Sequence, residues 1–222
     1  MKEQDIIGAL AIARNAYAAL RGAIRAGAKE TALLQAVQAA CDGHEIKLDL
    51  LSGERTARIE GGATERVLRP GDAVLLDLSV RNNEHWCDVC RTYVLGEPDA
   101  RFREIYRTVL DGYRGTASLL RPGVSAAALY SAVGELFQSR GMRGCLRHHT
   151  GHGIGREPFQ PPVETPESTD TLQAGDVMTV EIGAYVTDAF GIRLEDDYLI
   201  TPNGARCLWQ EPIELQALSI NR

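Results

Sequence analysis

Apolar positions recur in steps of three and four near the start of the chain, which is typical of an amphipathic helix. The pattern runs from Ile6 to Ile24 and predicts a long helix that ends at Gly27. A second helix is predicted from Leu33 to Cys41, with its end near Asp42-Gly43. Similar periodicity predicts two later helices, one marked by Phe102 to Tyr113 and one from Ser125 to about Gln138.

Strongly apolar stretches of strand length follow each pair of helices. Ala73 to Val80 and Trp86 to Leu95 flank Asn82-Asn83, which is a candidate hairpin turn. A second pair of strands begins after Gly175-Asp176 and ends at Thr201. The segments between the two groups are predicted as a strand followed by a loop at Gly144–Gly155 and a surface loop at Pro158–Thr171.

The two groups of elements resemble each other in sequence. Leu68-Arg69-Pro70-Gly71-Asp72 leads, five residues on, to Asp77, and Leu172-Gln173-Ala174-Gly175-Asp176 leads, five residues on, to Glu181. Each half therefore contains two helices, a strand with an acid inside it, and a return strand with a second acid. We predict one α/β domain over residues 1–222, with halves of roughly 1–97 and 98–210 and a site at their junction.

Charge and composition narrow the class of protein. The formal net charge is −6 and there is no basic run, which argues against a nucleic-acid partner. No apolar run approaches the roughly 18 residues of a membrane span, so no membrane partner is expected. The five cysteines are an odd number without zinc-ribbon spacing, and they are expected to be reduced thiols of a cytoplasmic protein.

Acidic residues inside the apolar strands are the first sign of chemistry. Asp77 and Glu181 each lie in the middle of an apolar strand, where an ionised carboxylate is costly unless something neutralises it. Each is followed by a second acid on the next strand, Asp88 and Glu195 respectively. A single buried acid is usually a hydrogen-bonded core residue, but two matched pairs fit a cation site better.

The segment His148-His149-Thr150-Gly151-His152 supplies imidazole ligands, because it holds three of the five histidines of the chain. Four carboxylates with one imidazole, His152, form an oxygen-rich set of ligands. Such a set suits Mn²⁺, Fe²⁺ or Co²⁺ and is also compatible with Zn²⁺. Two ions about 3.5–4 Å apart would polarise a substrate oxygen and generate hydroxide at neutral pH.

Together these motifs resemble the pita-bread metallopeptidases, a family that includes methionine aminopeptidase, Xaa-Pro dipeptidase (prolidase), aminopeptidase P and creatinase. The similarity extends from about Ala9 to Leu208, and its form is closest to prolidase and creatinase. The motifs that carry it are Gly71-Asp72-x-Val74-x-x-Asp77, Asp88-Val89-Cys90-Arg91-Thr92, His148-x-x-Gly151-His152-Gly153-Ile154-Gly155, Glu181-Ile182-Gly183-Ala184-Tyr185 and Arg193-Leu194-Glu195-Asp196-Asp197.

The resemblance implies a curved, mainly antiparallel sheet in two pseudo-symmetric halves with helices outside it. It also implies two divalent metal ions and the five ligands Asp77, Asp88, His152, Glu181 and Glu195. The implied reaction is hydrolysis of a C–N bond in a small molecule or short peptide, with a hydroxide between the metals as nucleophile. Because the match covers the catalytic domain alone, a homodimer whose second subunit helps to close the site is also expected.

Two positions depart from the peptidases of this family. They use a histidine upstream of the Gly-Asp turn and another seven residues after the ligand histidine, whereas this chain has Glu60 and Phe159 there. Ile182 also replaces the proline that follows the first glutamate ligand. A metal site retained for a different substrate or reaction is therefore our hypothesis.

Five further residues are candidates for direct roles, each with a structural alternative. His148 and Glu60 are the catalytic candidates, since both can transfer protons. Phe159, His85 and Arg193 are the substrate-binding candidates. For His85 a purely structural role is the stronger alternative, and Arg193 could either orient Glu195 or meet a substrate anion.

Two other functions remain open from the sequence. An ordinary Xaa-Pro dipeptidase or aminopeptidase would require that other residues take over the histidine roles. A metal-dependent lyase or isomerase, or a non-catalytic binding relative, would have abandoned hydrolysis. The complete set of five ligands argues against a pure binding protein.

Overall fold

The computed structural model of the protein describes residues 2–219. Its α-helices are α1 (Lys2–Ala23), α2 (Glu30–Ala40), α3 (Ala100–Leu119) and α4 (Ala126–Ser139). Short 3₁₀ turns occupy Gly53–Ala57 and Arg143–Cys145. No helix within residues 2–219 is long and apolar enough to cross a membrane.

One sheet carries all nine strands of the described chain. The strands are β1 (Ile46–Ser52), β2 (Ala73–Asn82), β3 (His85–Leu95), β4 (His152–Gly153), β5 (Gln160–Val163), β6 (Val177–Val186), β7 (Phe190–Thr201), β8 (Gly204–Cys207) and β9 (Ala217–Leu218). Their main order is β1-β2-β3-β7-β6-β4-β5, and all neighbours along it are antiparallel. The hairpins β2–β3 and β6–β7 therefore meet at the centre of the sheet.

Each hairpin has its own apolar core against its own pair of helices. One cluster of buried side chains joins α1 and α2 to the β2–β3 hairpin. A second cluster joins α3 and α4 to the β6–β7 hairpin. Two helices thus precede and cover each hairpin, so the observed architecture is two similar halves that share one curved sheet with helices outside.

Tyr17 ties α1 to the first hairpin. Its hydroxyl lies 2.8 Å from the carbonyl oxygen of Leu76 and 2.7 Å from that of Val89, and the side chain is fully buried. These carbonyls are the chain neighbours of Asp77 and Asp88. The apolar face of α1 therefore contacts the outer side of the strands that carry these two acids.

Several predicted boundaries differ from the structure. The first helix ends at Ala23 rather than Gly27. The hairpin turn is confirmed at Asn83, whose φ of 55° is left-handed, but Asn82 is the last residue of β2. The strand predicted after Gly144 is wrong, because Arg143–Cys145 forms a 3₁₀ turn and only His152–Gly153 is a strand. The proline-rich loop contains β5, which pairs with β4.

Replacing Tyr17 with phenylalanine tests the contact between α1 and the hairpin. Removing the buried hydroxyl leaves backbone carbonyls without their donor, so we expect the free energy of unfolding to fall by about 1–3 kcal/mol in urea titrations. The matched control is Tyr130→Phe, because Tyr130 is only half-buried on α4 and should change stability little. Equal stability of the two variants would contradict this role of Tyr17.

Candidate metal centre

Strand register brings the predicted acids into one row. Asp77 is paired with Cys90, Cys90 with Glu195, and Glu195 with Glu181, across four neighbouring strands. Directly paired residues project to the same face of a sheet, so these three acids share one face. Asp88 lies two residues before Cys90 and therefore projects to that face as well.

His152 reaches this face from β4. Its backbone N–H donates to the hydroxyl of Thr179 over 3.1 Å, and its Nδ1 lies 3.0 Å from the carbonyl oxygen of Gly153. A proton on Nδ1 would satisfy that carbonyl and leave the lone pair of Nε2 free. Nε2 lies 3.6 Å from Glu195 and 3.9 Å from both Asp88 and Glu181.

Two glycines allow the histidine segment to approach the sheet so closely. A Cβ at Gly151 would lie 2.4 Å from the carbonyl oxygen of Thr179, and one at Gly153 would lie 2.4 Å from that of Pro161. Both contacts are with backbone atoms, which cannot move aside cheaply. The sequence therefore needs glycine on both sides of His152 for the imidazole to reach the acids.

Burial and mutual repulsion both raise the pKa values of the carboxylates. Burial, followed by the negative charge of Asp77, raises the pKa of Asp88 well above its ordinary value. Burial, followed by Glu181, does the same for Glu195. Burial also raises the pKa of Glu181 to about 8, although Arg193 acts in the opposite direction. A bound cation would stabilise the ionised forms of these acids.

The donor atoms fit two neighbouring cations. One group consists of Asp88, His152 and Glu195, and the other of Asp77, Glu181 and Glu195, with the ligand atoms of each group within 4.8 Å of one another. Glu195 belongs to both groups and could bridge two ions. One oxygen of Asp88 and one of Glu195 are buried without a hydrogen-bond partner, as expected for oxygens that bind a cation.

Arg193 already supplies one positive charge to the row. Its guanidinium Nη1 lies 2.7 Å from Asp77 and 3.2 Å from Glu181, and Nη2 donates to the carbonyl oxygen of Ile59. The structure therefore brings Arg193 to these two acids rather than to Glu195. Its contact with Ile59 also joins the loop after Gly53–Ala57 to the site.

The other two histidines of the segment flank Glu181. The Nε2 atom of His148 lies 2.7 Å from the hydroxyl of Tyr185, and its Nδ1 lies 3.7 Å from Glu181. The Nδ1 atom of His149 lies 3.2 Å from Glu181. Burial lowers the pKa of His149 to about 3 and that of His148 well below its ordinary value, so both rings are neutral.

The two positions that depart from the peptidases both lie at the edge of this centre. The ring of Phe159 is 4.6 Å from the imidazole of His152 and 5.2 Å from that of His149, measured between centroids, and Phe159 is 51% exposed. Glu60 is exposed and follows Ile59, whose carbonyl contacts Arg193. Phe159 thus covers one side of the ligand histidine, whereas Glu60 forms no ion pair within residues 2–219.

His85 lies on the face of the sheet opposite the metal centre. It is three residues before Asp88 on β3, and this odd spacing turns it to the opposite face of the sheet. Its Nδ1 atom lies 2.8 Å from a carboxylate oxygen of Asp5 on α1. The structure therefore does not bring His85 to the metal centre, and its observed contacts are structural.

Sequence reasoning missed three side chains that shape the centre. Asp197 accepts hydrogen bonds from the backbone N–H of Asp88 at 3.2 and 3.3 Å, where β3 and β7 meet. Tyr185 and Thr179 hold His148 and His152, as described above. Their even spacing from Glu181 or Glu195 on the same strands was the available signal, since even spacing places side chains on one face.

A buried acid lies directly behind the histidine segment. Glu164 is fully buried, and its Oε2 accepts a hydrogen bond of 2.7 Å from the hydroxyl of Thr150. Its other oxygen has no partner and packs against Gly151. Burial raises the pKa of Glu164 to about 8, so the carboxyl group is protonated near neutral pH.

Known proteins share this architecture. The model of metallopeptidase family M24 matches residues 4–202, and the chain therefore belongs to that family. The Xaa-Pro dipeptidase of Pyrococcus furiosus is 35% identical over 166 residues, which is 75% of this chain and 48% of that protein. An uncharacterized peptidase of Bacillus subtilis, YqhT, is 31% identical over 174 residues, covering 78% of this chain and 49% of the relative. The chain thus spans about half the length of the curated relatives it matches.

Solved structures agree with this assignment. The prolidase of Pyrococcus horikoshii OT3 superposes with a TM-score of 0.93 at 30% identity, over 96% of this chain and 63% of that one. An X-Pro aminopeptidase of Thermotoga maritima superposes with a TM-score of 0.93 at 27% identity, over 97% and 62% respectively. These matches confirm the predicted pita-bread fold and the prolidase side of the family, and they support a metallohydrolase.

The pH dependence of stability tests the buried state of Glu164. Its ordinary pKa of 4.5 rises to about 8 in the folded protein, so the folded state keeps a proton that the unfolded chain has released. The free energy of unfolding must therefore fall as pH rises through this window, by about 1.4 kcal/mol per pH unit for this proton. We expect Glu164→Gln to make the slope shallower by that amount in urea titrations of metal-free protein, while the raised pKa values of Asp88, Glu181 and Glu195 keep a slope of the same sign.

The control for this test is Glu167→Gln, the same change at an exposed position three residues away. It should leave the slope of the wild-type protein unchanged. An identical slope in wild type and both variants would show that Glu164 is not protonated in the folded protein.

Proposed function

We propose that the chain is a dinuclear metal-dependent hydrolase that cleaves C–N bonds of amide type in short peptides or small molecules. The observation that carries this proposal is the pair of ligand groups that share Glu195 on one face of the sheet. Membership of metallopeptidase family M24 and similarity to an Xaa-Pro dipeptidase support the same class of reaction.

The five proposed ligands are Asp77, Asp88, His152, Glu181 and Glu195, and Mn²⁺, Fe²⁺ or Co²⁺ suit them best, with Zn²⁺ also compatible. Two bound ions would polarise the scissile carbonyl group and activate water. The protein itself orients the acids through the hairpin registers and fixes His152 through Thr179 and Gly153. Arg193 holds Asp77 and Glu181 in place.

His148 is the proposed proton-transfer residue. Its ring is neutral because burial lowers its pKa, and a neutral imidazole can both accept and donate a proton. Its contact with Tyr185 fixes the ring beside Glu181. Glu60 is a weaker candidate for the same role, since its side chain is exposed at the rim.

The substrate differs from those of ordinary prolidases in this proposal. At the two family histidine positions the chain offers a carboxylate, Glu60, and an aromatic ring, Phe159. Phe159 lies against His152, so it would present an apolar surface to the substrate beside the ligand. The alternative is an Xaa-Pro dipeptidase whose histidine roles are taken by His148 and His149, and the similarity to the Pyrococcus furiosus enzyme favours it.

A homodimer and a cytoplasmic location are further parts of this proposal. All five cysteines are free thiols, which suits a reducing compartment. The rim near Phe159 is exposed, so a second subunit could complete the wall of the site there.

The metal content of the purified protein tests the proposal most simply. Protein prepared without chelator and incubated with Mn²⁺ should hold about two ions per chain by mass spectrometry. We expect Glu181→Ala to lose at least one of them, because Glu181 supplies a ligand atom to the group that it forms with Asp77 and Glu195. Glu167→Ala, an exposed change of the same type, is the control. Fewer than one ion per wild-type chain would contradict the proposal.

A histidine at position 159 tests the altered substrate preference. We expect wild-type turnover of Ala-Pro to be weak, and Phe159→His to raise kcat/KM by about tenfold or more, since general acid–base groups contribute about 10²–10⁴-fold. Phe159→Leu, which keeps the position apolar, is the control. Efficient Ala-Pro cleavage by the wild-type protein would instead establish the ordinary dipeptidase.

A further inference from the structure

The two halves of the sheet meet where β3 lies beside β7. Registered pairing between these strands is limited to Cys90 with Glu195, whereas β2–β3 and β6–β7 are paired along almost their whole length. Glu195 is also the acid that belongs to both proposed ligand groups. The residue that would bridge the two ions therefore lies where backbone pairing between the halves is reduced to one pair.

Arg91 on β3 crosses this junction between β3 and β7. Its Nη1 donates to the carbonyl oxygen of Glu195 over 2.9 Å and to that of Cys90 over 3.0 Å. Its Nη2 lies 2.7 Å from Oδ1 of Asp196, and both side chains of this ion pair are buried. Arg91 therefore holds the backbone of both strands at the single registered pair.

Asp196 is fixed in turn by helix α3 of the second half. Its Oδ2 accepts a hydrogen bond of 2.6 Å from the hydroxyl of Tyr113, which also lies 2.8 Å from the hydroxyl of Tyr198. Asp196 follows Glu195 directly on β7, so its side chain projects to the opposite face of the sheet. The ion pair with Arg91 therefore lies behind the metal centre, away from the face that a substrate would approach.

Two more side chains contact the backbone across the junction. The hydroxyl of Thr92 donates to the carbonyl oxygen of Arg193 over 3.1 Å and accepts from the backbone N–H of Arg193 over 3.0 Å. Asp197 accepts from the backbone N–H of Asp88 at 3.2 and 3.3 Å. Side chains therefore take over from backbone pairing on both sides of the single registered pair.

We propose that Arg91, together with Thr92, is a positioning residue that fixes Glu195 where its carboxylate can bridge two ions. Each hairpin carries two of the four ligand acids, so the β3–β7 junction sets the separation between the two sets. Ligands of a metal centre must be held within about 0.5 Å of their working positions. A looser junction would leave each half with its own acids but without a shared ligand.

This inference rests on the proposed hydrolase function, and a conservative substitution at position 91 tests it. Arg91→Lys keeps a positive charge beside Asp196, but an ammonium group lacks the planar set of donors that contacts Glu195, Cys90 and Asp196 together. We expect the variant to bind a second Mn²⁺ ion at least about tenfold more weakly than wild type in calorimetric titrations. Losses of this size are typical when a residue that orients a metal ligand is changed.

Electron paramagnetic resonance supplies a readout that a purely structural role of Arg91 would not change. Two Mn²⁺ ions that share a bridging ligand give an exchange-coupled signal, whereas separate ions give the signal of isolated Mn²⁺. We expect the coupled signal in wild-type protein loaded with about two ions per chain, and its loss in Arg91→Lys. Thr92→Val, which removes a buried hydroxyl and no charge, should weaken the coupled signal as well.

Arg66→Lys and Thr108→Val are the matched controls, and both positions lie outside β3 and β7. Arg66 is a partly buried arginine that is paired with Asp72. Thr108 is a buried threonine of α3 whose hydroxyl donates to the carbonyl oxygen of Glu104. Both variants should keep the second ion and the coupled signal, even where urea titrations show lower stability.

Failure of the inference and failure of the proposed function are distinguishable, because the metal content of the wild-type protein is measured first. Fewer than one ion per wild-type chain overturns the hydrolase, and the inference with it. One ion, or two uncoupled ions, in the wild-type protein overturns the inference, since Glu195 would then not act as a bridge.

With two coupled ions in the wild-type protein, the variants decide. A folded Arg91→Lys protein that keeps the coupled signal and the affinity for the second ion would overturn the inference, whatever its stability. If that variant does not fold, the same result for Thr92→Val overturns it.

Discussion

Repulsion among buried carboxylates is the constraint on which this structure depends. Asp77, Asp88, Glu181 and Glu195 project from neighbouring strands to one face of the sheet. Burial and neighbouring charge raise the pKa values of Asp88, Glu181 and Glu195. Such an arrangement has a cost in stability, and bound cations would be the most direct compensation.

Packing on the opposite face of the sheet holds the strands that carry the acids in place. Each hairpin has a separate apolar core with its own two helices, so the acids are carried on rigid strands rather than loops. Tyr17 holds the backbone next to Asp77 and Asp88. On the other side of the site, Gly151 and Gly153 let the backbone of the histidine segment approach the sheet. The elements that carry the ligand groups are therefore fixed by contacts outside the site.

Arg193 changes the charge balance of the row. One guanidinium between Asp77 and Glu181 offsets part of their repulsion. It forms no hydrogen bond with Asp88 or Glu195. The unpartnered Oε1 of Glu195 lies 3.6 Å from Nε2 of His152. The same guanidinium also bonds to Ile59, so the loop that carries Arg58 and Glu60 is coupled to the acids.

Much of the site could be predicted because the signal lies in short segments. An acid inside an apolar strand, as at Asp77 and Glu181, can be recognised in the sequence, and the spacing to Asp88 and Glu195 follows from a hairpin. The contacts of Arg193 could not be predicted, because they depend on which strands become neighbours in the sheet. The place of His85 could have been predicted from its odd spacing to Asp88.

The loops are the part of the structure that is hardest to predict from the sequence. The segment Pro158–Thr171 is rich in proline and polar residues, yet it contains β5 and the fully buried Glu164. β5 pairs with β4 through Gly153 with Gln160 and His152 with Val163, but both strands are too short for an alternating pattern to predict them. Phe159 belongs to the same segment, and its ring contact with His152 depends on where this loop lies in the fold.

Anomalous diffraction from a crystal soaked in Mn²⁺ tests the central claim most directly. The account predicts two peaks about 3.5–4 Å apart, one among Asp88, His152 and Glu195 and one among Asp77, Glu181 and Glu195. A single peak at His148, His149 and Glu181, or none among the carboxylates, would contradict a dinuclear centre built on the shared Glu195.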